Sequence, residues 1–321
     1  MNRIFLIFAG TLLCTHLLGQ QIPQFSLEML DPFTNNPAYA GLQPSLKMTA
    51  SIRSQWVALP GQPQTQLVNA HMPLYIFNSG VGIRVQNETI GAEQGVMGLL
   101  AYDYHFYIGE GILSAGLAAG VVSRSLDGRK LLTPEGTYNE PGNFTHNDDI
   151  LPTTNISLTI PTANLGVYYQ TERFEAGLAV QNVNEGKASL DGVGLRLVRH
   201  YYMNVAAHFE LNDAFSLHPA VAIRSDARAL QTNLSLLVDY NNNIFGGASF
   251  RGYSSSTIDA LALIGGFSLN DKLRVAYAYD VGLSKLNNVH SGSHEIQITY
   301  TLEQTIGKGR LPKIIYNPRF L

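Results

Sequence analysis

From Lys47 to Trp56 the chain alternates. Met48, Ala50, Ile52 and Trp56 fall on one face, and Lys47, Thr49, Ser51, Arg53 and Gln55 on the other, the period of two that marks a β-strand. The same pattern predicts strands near 64–72, 80–88, 95–106, 112–124, 164–170, 173–182, 199–211 and 215–224, and again near 231–240, 244–253, 259–268, 273–279 and 294–302, fourteen in all. Most are about 10 residues long, enough to cross a bilayer as a tilted strand, whereas strands of soluble sheets average about 5–6.

The connections test this independently. In an outer-membrane barrel that starts on the periplasmic side, the connections after even-numbered strands are short turns and those after odd-numbered strands can be long. The sixth and seventh strands are joined through Thr171 and Glu172, the eighth and ninth through 212–214, the tenth and eleventh around 241–243, and the twelfth and thirteenth around 270–272. These are tight Asn/Asp-type turns. The long stretches rich in Gly, Pro and Asn, 125–163, 183–198 and 281–293, follow the fifth, seventh and thirteenth strands, the parity a barrel requires. A soluble sandwich has no reason to sort its loops in this way. The sequence therefore predicts an all-β fold, a transmembrane antiparallel up-and-down β-barrel of about 14 strands.

Side chains indicate the lipid face. On the eighth strand Tyr201, Met203, Val205, Ala207, Phe209 and Leu211 share one face, and His200, Tyr202, Asn204, His208 and Glu210 the other. Tyr201 and Phe209 are about 26 Å apart along the strand at 3.3 Å per residue, near the spacing of two aromatic girdles around an apolar band about 25 Å tall. Tyr102, Tyr104 and Phe106 cluster at one end of the fourth strand in the same manner. Fourteen strands fall between the roughly 8 that side chains can fill and the 16–18 that leave a water channel. The lumen is expected to be narrow or obstructed, lined by Lys47, Arg53, Arg84, Glu88, Glu175, Arg224 and Arg251, a mixed-sign lining that suits internal ion pairing or a transport path.

Composition narrows the classes. Of the 321 residues only 14% are charged, against about 25% in soluble domains. Hydrophobic residues reach 45%, yet the mean hydropathy is only +0.02, so apolar and uncharged polar positions are interleaved. After the first twenty positions no run approaches the 20 apolar residues of a membrane helix. A net charge of −3 with 21 scattered basic residues excludes a nucleic-acid partner. Met1 to Gly19 reads as an export signal, with Arg3 followed by an apolar stretch from Ile4 to Leu18 and cleavage near Gly19/Gln20. The single cysteine, Cys14, lies within it. Lipidation there and an uncleaved anchor helix are the alternatives, disfavoured by the bulky Leu13 and by the short apolar stretch.

Candidate chemistry is sparse. The nine histidines are dispersed without metal-site spacing, and His71, His105, His200, His208 and His218 are expected on strands, facing the lumen or an interface. The polar cluster His146 to Asp149 lacks the glycine and closing carboxylate of a calcium loop. No Gly-x-Ser-x-Gly elbow accompanies a histidine, and Gly80, Gly82, Gly246 and Gly247 have neither the Lys nor the helix of a phosphate cradle. No catalytic residue, cofactor site or metal site is expected, and the reading is non-enzymatic.

One stretch is not explained by barrel physics. After the export signal comes a segment from Gln21 to Gly41 that ends in Asn36, Pro37, Ala38, Tyr39, Ala40 and Gly41, followed by Arg53, Ser54, Gln55 and Trp56, then Pro63 to Thr65 and the Gly80-Val81-Gly82 strand. This series resembles the PorP/SprF family of type IX secretion system membrane proteins, over essentially the whole mature chain. The resemblance implies an outer-membrane barrel of the Gram-negative type IX machinery that supports export or surface anchoring of a secreted adhesin or enzyme, in some members linked to gliding. Its implied partners are outer-membrane lipid, machinery components and the secreted client, and a general diffusion porin and a hydrolase on the barrel rim are the competing functions. The organisation expected is export signal 1–19, a periplasmic motif segment 20–45, barrel 46–302 and a periplasmic tail 303–321. Asn36 to Gly41, with Arg53, Gln55 and Trp56, is expected to plug the barrel mouth, dock a partner or cap the point where the chain enters the wall. The loop 125–163, through Tyr138, Phe144 and Ile150, is expected to read the client, constrict the lumen or stay mobile.

Overall fold

The computed structural model describes residues 22–138, 144–148, 151–190, 193–254 and 257–302. Strands β1 (Leu46–Ser54), β2 (Gln64–Leu74), β3 (Ser79–Ile90), β4 (Glu93–Ile108), β5 (Gly111–Asp127), β6 (Asn155–Gln170) and β7 (Phe174–Gln181) run in order. A small hairpin, β8 (Lys187–Leu190) with β9 (Val193–Arg196), stands apart in the next connection. The wall continues with β10 (His200–Ala207), β11 (Phe209–Glu210), β12 (Phe215–Ser225), β13 (Leu230–Tyr240), β14 (Ile244–Ser254), β15 (Thr257–Asn270), β16 (Leu273–Gly282) and β17 (Ser293–Leu302). Every pair is antiparallel, β1 with β17 and β10 with β12 included, so the sheet closes into a 14-strand barrel. The eighth barrel strand is interrupted at His208, between β10 and β11, beside Pro219 of β12, which has no N–H to give the ladder.

The barrel is inside out relative to a soluble protein. On β1 the polar face, Lys47, Thr49, Ser51 and Arg53, is buried, while Met48 and Ile52 are exposed. Leu100, Leu117, Leu178 and Leu263 likewise point outward. At one end of the barrel the outward side chains are aromatic: Tyr104, Phe106, Phe174, Phe209, Phe215, Tyr240 and Phe267, with Phe215 and Tyr240 paired at 4.9 Å. Rings at that level suit a membrane interface. On the eighth strand Tyr201, Met203, Phe209 and Leu211 face out, and His200, Tyr202 and His208 face in, as the alternation indicates.

The same end carries the short turns. Asn241 and Asn242 both take left-handed φ, 50° and 52°, the geometry of a type I′ hairpin. Asn212 and Asn270 each accept two backbone N–H bonds, as Asx-turns do. In bacterial barrels this turn end faces the periplasm and the loop end the outside. The longest loop is shorter than expected, 128–154, because β6 begins at Asn155 and not at Asn164. Ile156 and Ile160 continue the alternation inward, and Pro161, a reason to stop the strand, is accommodated opposite Val121.

The stretch expected as a periplasmic segment instead lies inside the lumen. Three short 3₁₀ turns, Glu28–Leu30, Pro32–Thr34 and Pro37–Tyr39, carry it through the barrel, and residues 24–34 are buried throughout. Gln24 pairs with Gln231 at the loop-end start of β13, whereas Ala40 contacts His105 near the turn end of β4. The chain therefore descends from the loop end to the turn end before entering β1. A cysteine at Ile22 should accordingly react with a membrane-impermeant maleimide added to intact cells, as should one at Leu132 in the outer loop. One at Glu172, in a turn, should react only after permeabilisation, and Ile22 behaving like Glu172 would reverse the direction.

Candidate functional site

The plug has no basic residue between 22 and 45 and two acidic ones, Glu28 and Asp31, whereas the wall around it carries Lys47, Arg53, Arg84, Arg224 and Arg251. Ion pairs and hydrogen bonds link the two. In the loop half, Arg53 donates to Asp280 at 2.6 Å and to Glu295 at 3.1 Å. The Ser26 hydroxyl donates to Asp280 at 2.6 Å and accepts from Arg53 at 2.9 Å and from Arg251 at 2.8 Å. Glu295 takes the backbone N–H groups of Ser26 and Leu27. One serine thus ties the plug to four strands at once.

Midway down, Glu28 accepts from Arg224 at 3.1 Å, from Asn35 at 2.8 Å and from Asn233. Asp31 accepts from Asn69 at 2.7 Å and lies 3.9 Å from Lys47, whose ammonium donates to the Leu30 carbonyl. Arg84 donates to the Thr34 carbonyl and to Gln86. Buried charge in a water-poor lumen is tolerated only when paired in this manner. Apolar contacts fill the remainder. Leu27, Met29 and Leu30 pack on Leu237, Phe245, Ala262, Ile264, Ala276 and Ala278. Phe33, Ala38, Tyr39, Ala40 and Leu42 pack on Leu99, Ala101, Ile112, Ala118 and Tyr168.

The motif Asn36 to Gly41 is the turn-half anchor. Asn36 caps the third 3₁₀ turn by accepting from the Ala38 N–H at 3.0 Å, and its amide donates to the carbonyls of Val167 and Leu178 on two neighbouring strands. A shorter polar side chain could not do both. Pro37 supplies the fixed φ at the start of the turn. The Tyr39 ring meets Tyr168 edge-on at 4.9 Å, and its hydroxyl accepts from Gln43. Gly41 has φ +67°, and a Cβ on it would come within 2.6 Å of the Gly80 Cα. Wall glycines make the room: a Cβ at Gly80 would meet the Ala40 carbonyl oxygen at 2.2 Å, and one at Gly116 the Ala38 backbone at 2.5 Å.

The structure therefore separates the residues singled out by the sequence. Asn36, Pro37, Ala38, Tyr39, Ala40 and Gly41 are buried in the lumen and present little surface to a soluble partner, apart from the backbone that runs on to β1. Arg53 is buried at the other end of the same plug. Gln55 and Trp56 lie at the loop rim: the Gln55 N–H donates to the Pro63 carbonyl, and Trp56, with φ 55°, donates its N–H to the Ser293 hydroxyl. The expected lumen residues Lys47, Arg53, Arg84, Glu88, Glu175 and Arg251 are buried, and Arg224 lies against the plug. In the outer loop Tyr138 and Phe144 meet edge-on at 5.3 Å and both pack on the buried His146, which contacts the Tyr138 hydroxyl and the Pro152 carbonyl. Ile150, the export signal and the tail from 303 lie outside the described residues. Sequence reasoning missed Ser26, Glu28, Asp31, Asp280 and Glu295, whose partners lie as many as 269 positions away. A signal was present in β15, where Ala260, Ala262 and Ile264 give the inward face the apolar character of the outward one, the mark of a wall against a solid filling.

The fold is shared with a solved transporter. The chain is similar to the Ralstonia pickettii toluene transporter TbuX, with 12% identity and a TM-score of 0.51, covering 86% of this chain and 93% of that one. It is also similar to the Acinetobacter baumannii outer membrane protein Omp33, with 7% identity and a TM-score of 0.47, covering 81% of this chain and 99% of that one. No match was found among the curated proteins. The model of the type IX secretion system membrane protein PorP/SprF matches residues 17–300, and with that match over a barrel of outer-membrane type the chain belongs to the PorP/SprF family.

Proposed function

We propose that this barrel is a non-enzymatic, plugged scaffold of the type IX machinery that supports export or surface anchoring of a secreted adhesin or enzyme, in a gliding-type system, and holds the client through its outer loops. The observation that carries the reading is the occupied lumen: residues 24–34 are buried within the barrel and pinned by Arg53, Arg224 and Lys47. A barrel built to pass solutes has little use for a lumen filled and ion-paired along its length, so the plug weighs against a general diffusion porin. The chain would be organised as export signal 1–19, plug 20–45, barrel 46–302 and a periplasmic tail 303–321, with lipid and machinery components as its standing partners. Client contact is assigned to the outer loops, since a rigid scaffold displays its binding residues on loops. The aromatic cluster of Tyr138 and Phe144, with Ile150 nearby in sequence, offers the kind of anchor that protein interfaces favour.

Deleting residues 133–153 tests the assignment in one strain. The secreted client should be lost from the cell surface, while heat-modifiable migration of the barrel and uptake of small solutes stay unchanged. Normal client display with the loop removed would sink client reading by this loop, and lost solute uptake in a strain lacking the whole gene would favour the porin.

A further inference from the structure

The break in the eighth barrel strand places two histidines face to face. His208, between β10 and β11, and His218, on β12, are both buried just inside the turn-end mouth, with ring centroids 4.5 Å apart and planes inclined by 38°. Their Nδ1 atoms are 3.1 Å apart. Each ring has a carboxylate on its far side. The Nε2 of His218 lies 2.9 Å from Asp239, which Arg274 holds in turn at 3.3 Å, and the Nε2 of His208 lies 3.9 Å from the exposed Glu210. The Ser216 hydroxyl is 3.5 Å from the His218 Nε2.

The nearer carboxylate, Asp239, selects the tautomer of His218. A carboxylate facing Nε2 favours the ring with its proton there, which leaves the lone pair on Nδ1. On His218, whose Nε2 is held by Asp239 at 2.9 Å, this leaves the Nδ1 lone pair facing the Nδ1 of His208 across 3.1 Å, a spacing at which the pair can share one proton or hold one cation. Two imidazoles bound to one ion at 2.0–2.1 Å, subtending 90° to 109°, have nitrogens about 2.8–3.4 Å apart. The observed gap falls inside that window. A carboxylate behind a metal-binding histidine is also the usual outer-shell partner, fixing the ring and raising its basicity.

We propose that His208 and His218 bind one divalent transition-metal ion, of the zinc, nickel or copper class that imidazole suits, through their Nδ1 atoms, with Asp239 and Arg274 as positioning residues. Among the described residues no group of three or more His, Cys, Asp or Glu side chains gathers to hold an ion. The shell is therefore two imidazoles completed by water. A site with two protein ligands is modest in strength, and its occupancy would follow the metal supply of the periplasm.

The test uses the full-length barrel, purified without a histidine tag, folded in detergent, stripped with a chelator and titrated with Zn²⁺ by calorimetry. Wild type should take up one ion per chain with a dissociation constant on the order of micromolar. His208→Ala and His218→Ala should abolish that uptake, and Asp239→Asn should weaken it by about 10-fold or more, all with heat-modifiable migration intact. One equivalent of Cu²⁺ on the wild-type protein gives a readout that needs no variant, since its electron paramagnetic resonance should show coupling to two imidazole nitrogens. Absence of uptake by wild type, uptake unchanged in both alanine variants, or a copper signal without two imidazoles would overturn the proposal and leave a pair that shares only a proton.

Discussion

Removing residues 24–34 is expected to convert a closed barrel into a conducting one. A 14-strand wall encloses more space than its own side chains fill, and here the filling comes from the plug: Leu27, Met29 and Leu30 cover the inward faces of β13 to β16, and Phe33 begins the second apolar cluster. The barrel ladder itself uses none of these residues, because β1 starts only at Leu46 and pairs with β17 and β2. The wall should therefore still close. In planar bilayers the deletion variant should show ion-conducting steps that the wild type lacks. Keeping Asn36 to Gly41 retains the turn-half anchor, so the altered barrel should still migrate as a folded, heat-modifiable species. A folded deletion variant that stays electrically silent would mean that loops or wall side chains close the lumen without the plug.

The fold was legible in the sequence because a barrel strand is defined by local alternation and its connections by turn chemistry. Asn212, Asn241 and Asn270 announce their turns through side chains that bond their own backbone or accept left-handed φ, and neither property needs a distant partner. The lumen bases were legible for the same reason, since the inward parity of β1, β3 and β14 places Lys47, Arg53, Arg84 and Arg251 inside. What they pair with was not. Ser26 meets Asp280, and Glu28 meets Arg224 and Asn233, only because the plug runs back through a barrel that forms from residues far along the chain. Periodicity is silent on such contacts, and 3₁₀ turns leave no repeating pattern to read. The Asn36 to Gly41 motif stood out as a string of turn formers. Its purpose appears once Gly80 and Gly116 are seen to lack the Cβ atoms that would strike it.

Replacing Arg53 by methionine should be the most destabilising single change in the lumen. The guanidinium neutralises Asp280 and Glu295, which are themselves buried, and it donates to the Ser26 hydroxyl that fixes the start of the plug. Methionine keeps much of the volume and removes the charge. Arg251 remains 3.4 Å from Asp280, but no salt bridge other than that with Arg53 reaches Glu295 among the described residues, which would be left as a buried carboxylate with only the N–H groups of Ser26 and Leu27. Breaking a buried pair from one side costs about 3–5 kcal/mol, whereas replacing all members by neutral groups is far milder. The triple variant Arg53→Met, Asp280→Asn, Glu295→Gln should therefore recover most of the loss, with Arg251 still facing Asp259 at 3.9 Å. Urea unfolding midpoints in detergent, followed by heat-modifiable migration, measure both steps. The single variant unfolding with the wild type, or the triple variant falling below the single one, would show that the plug is held by its apolar contacts and not by this charge cluster.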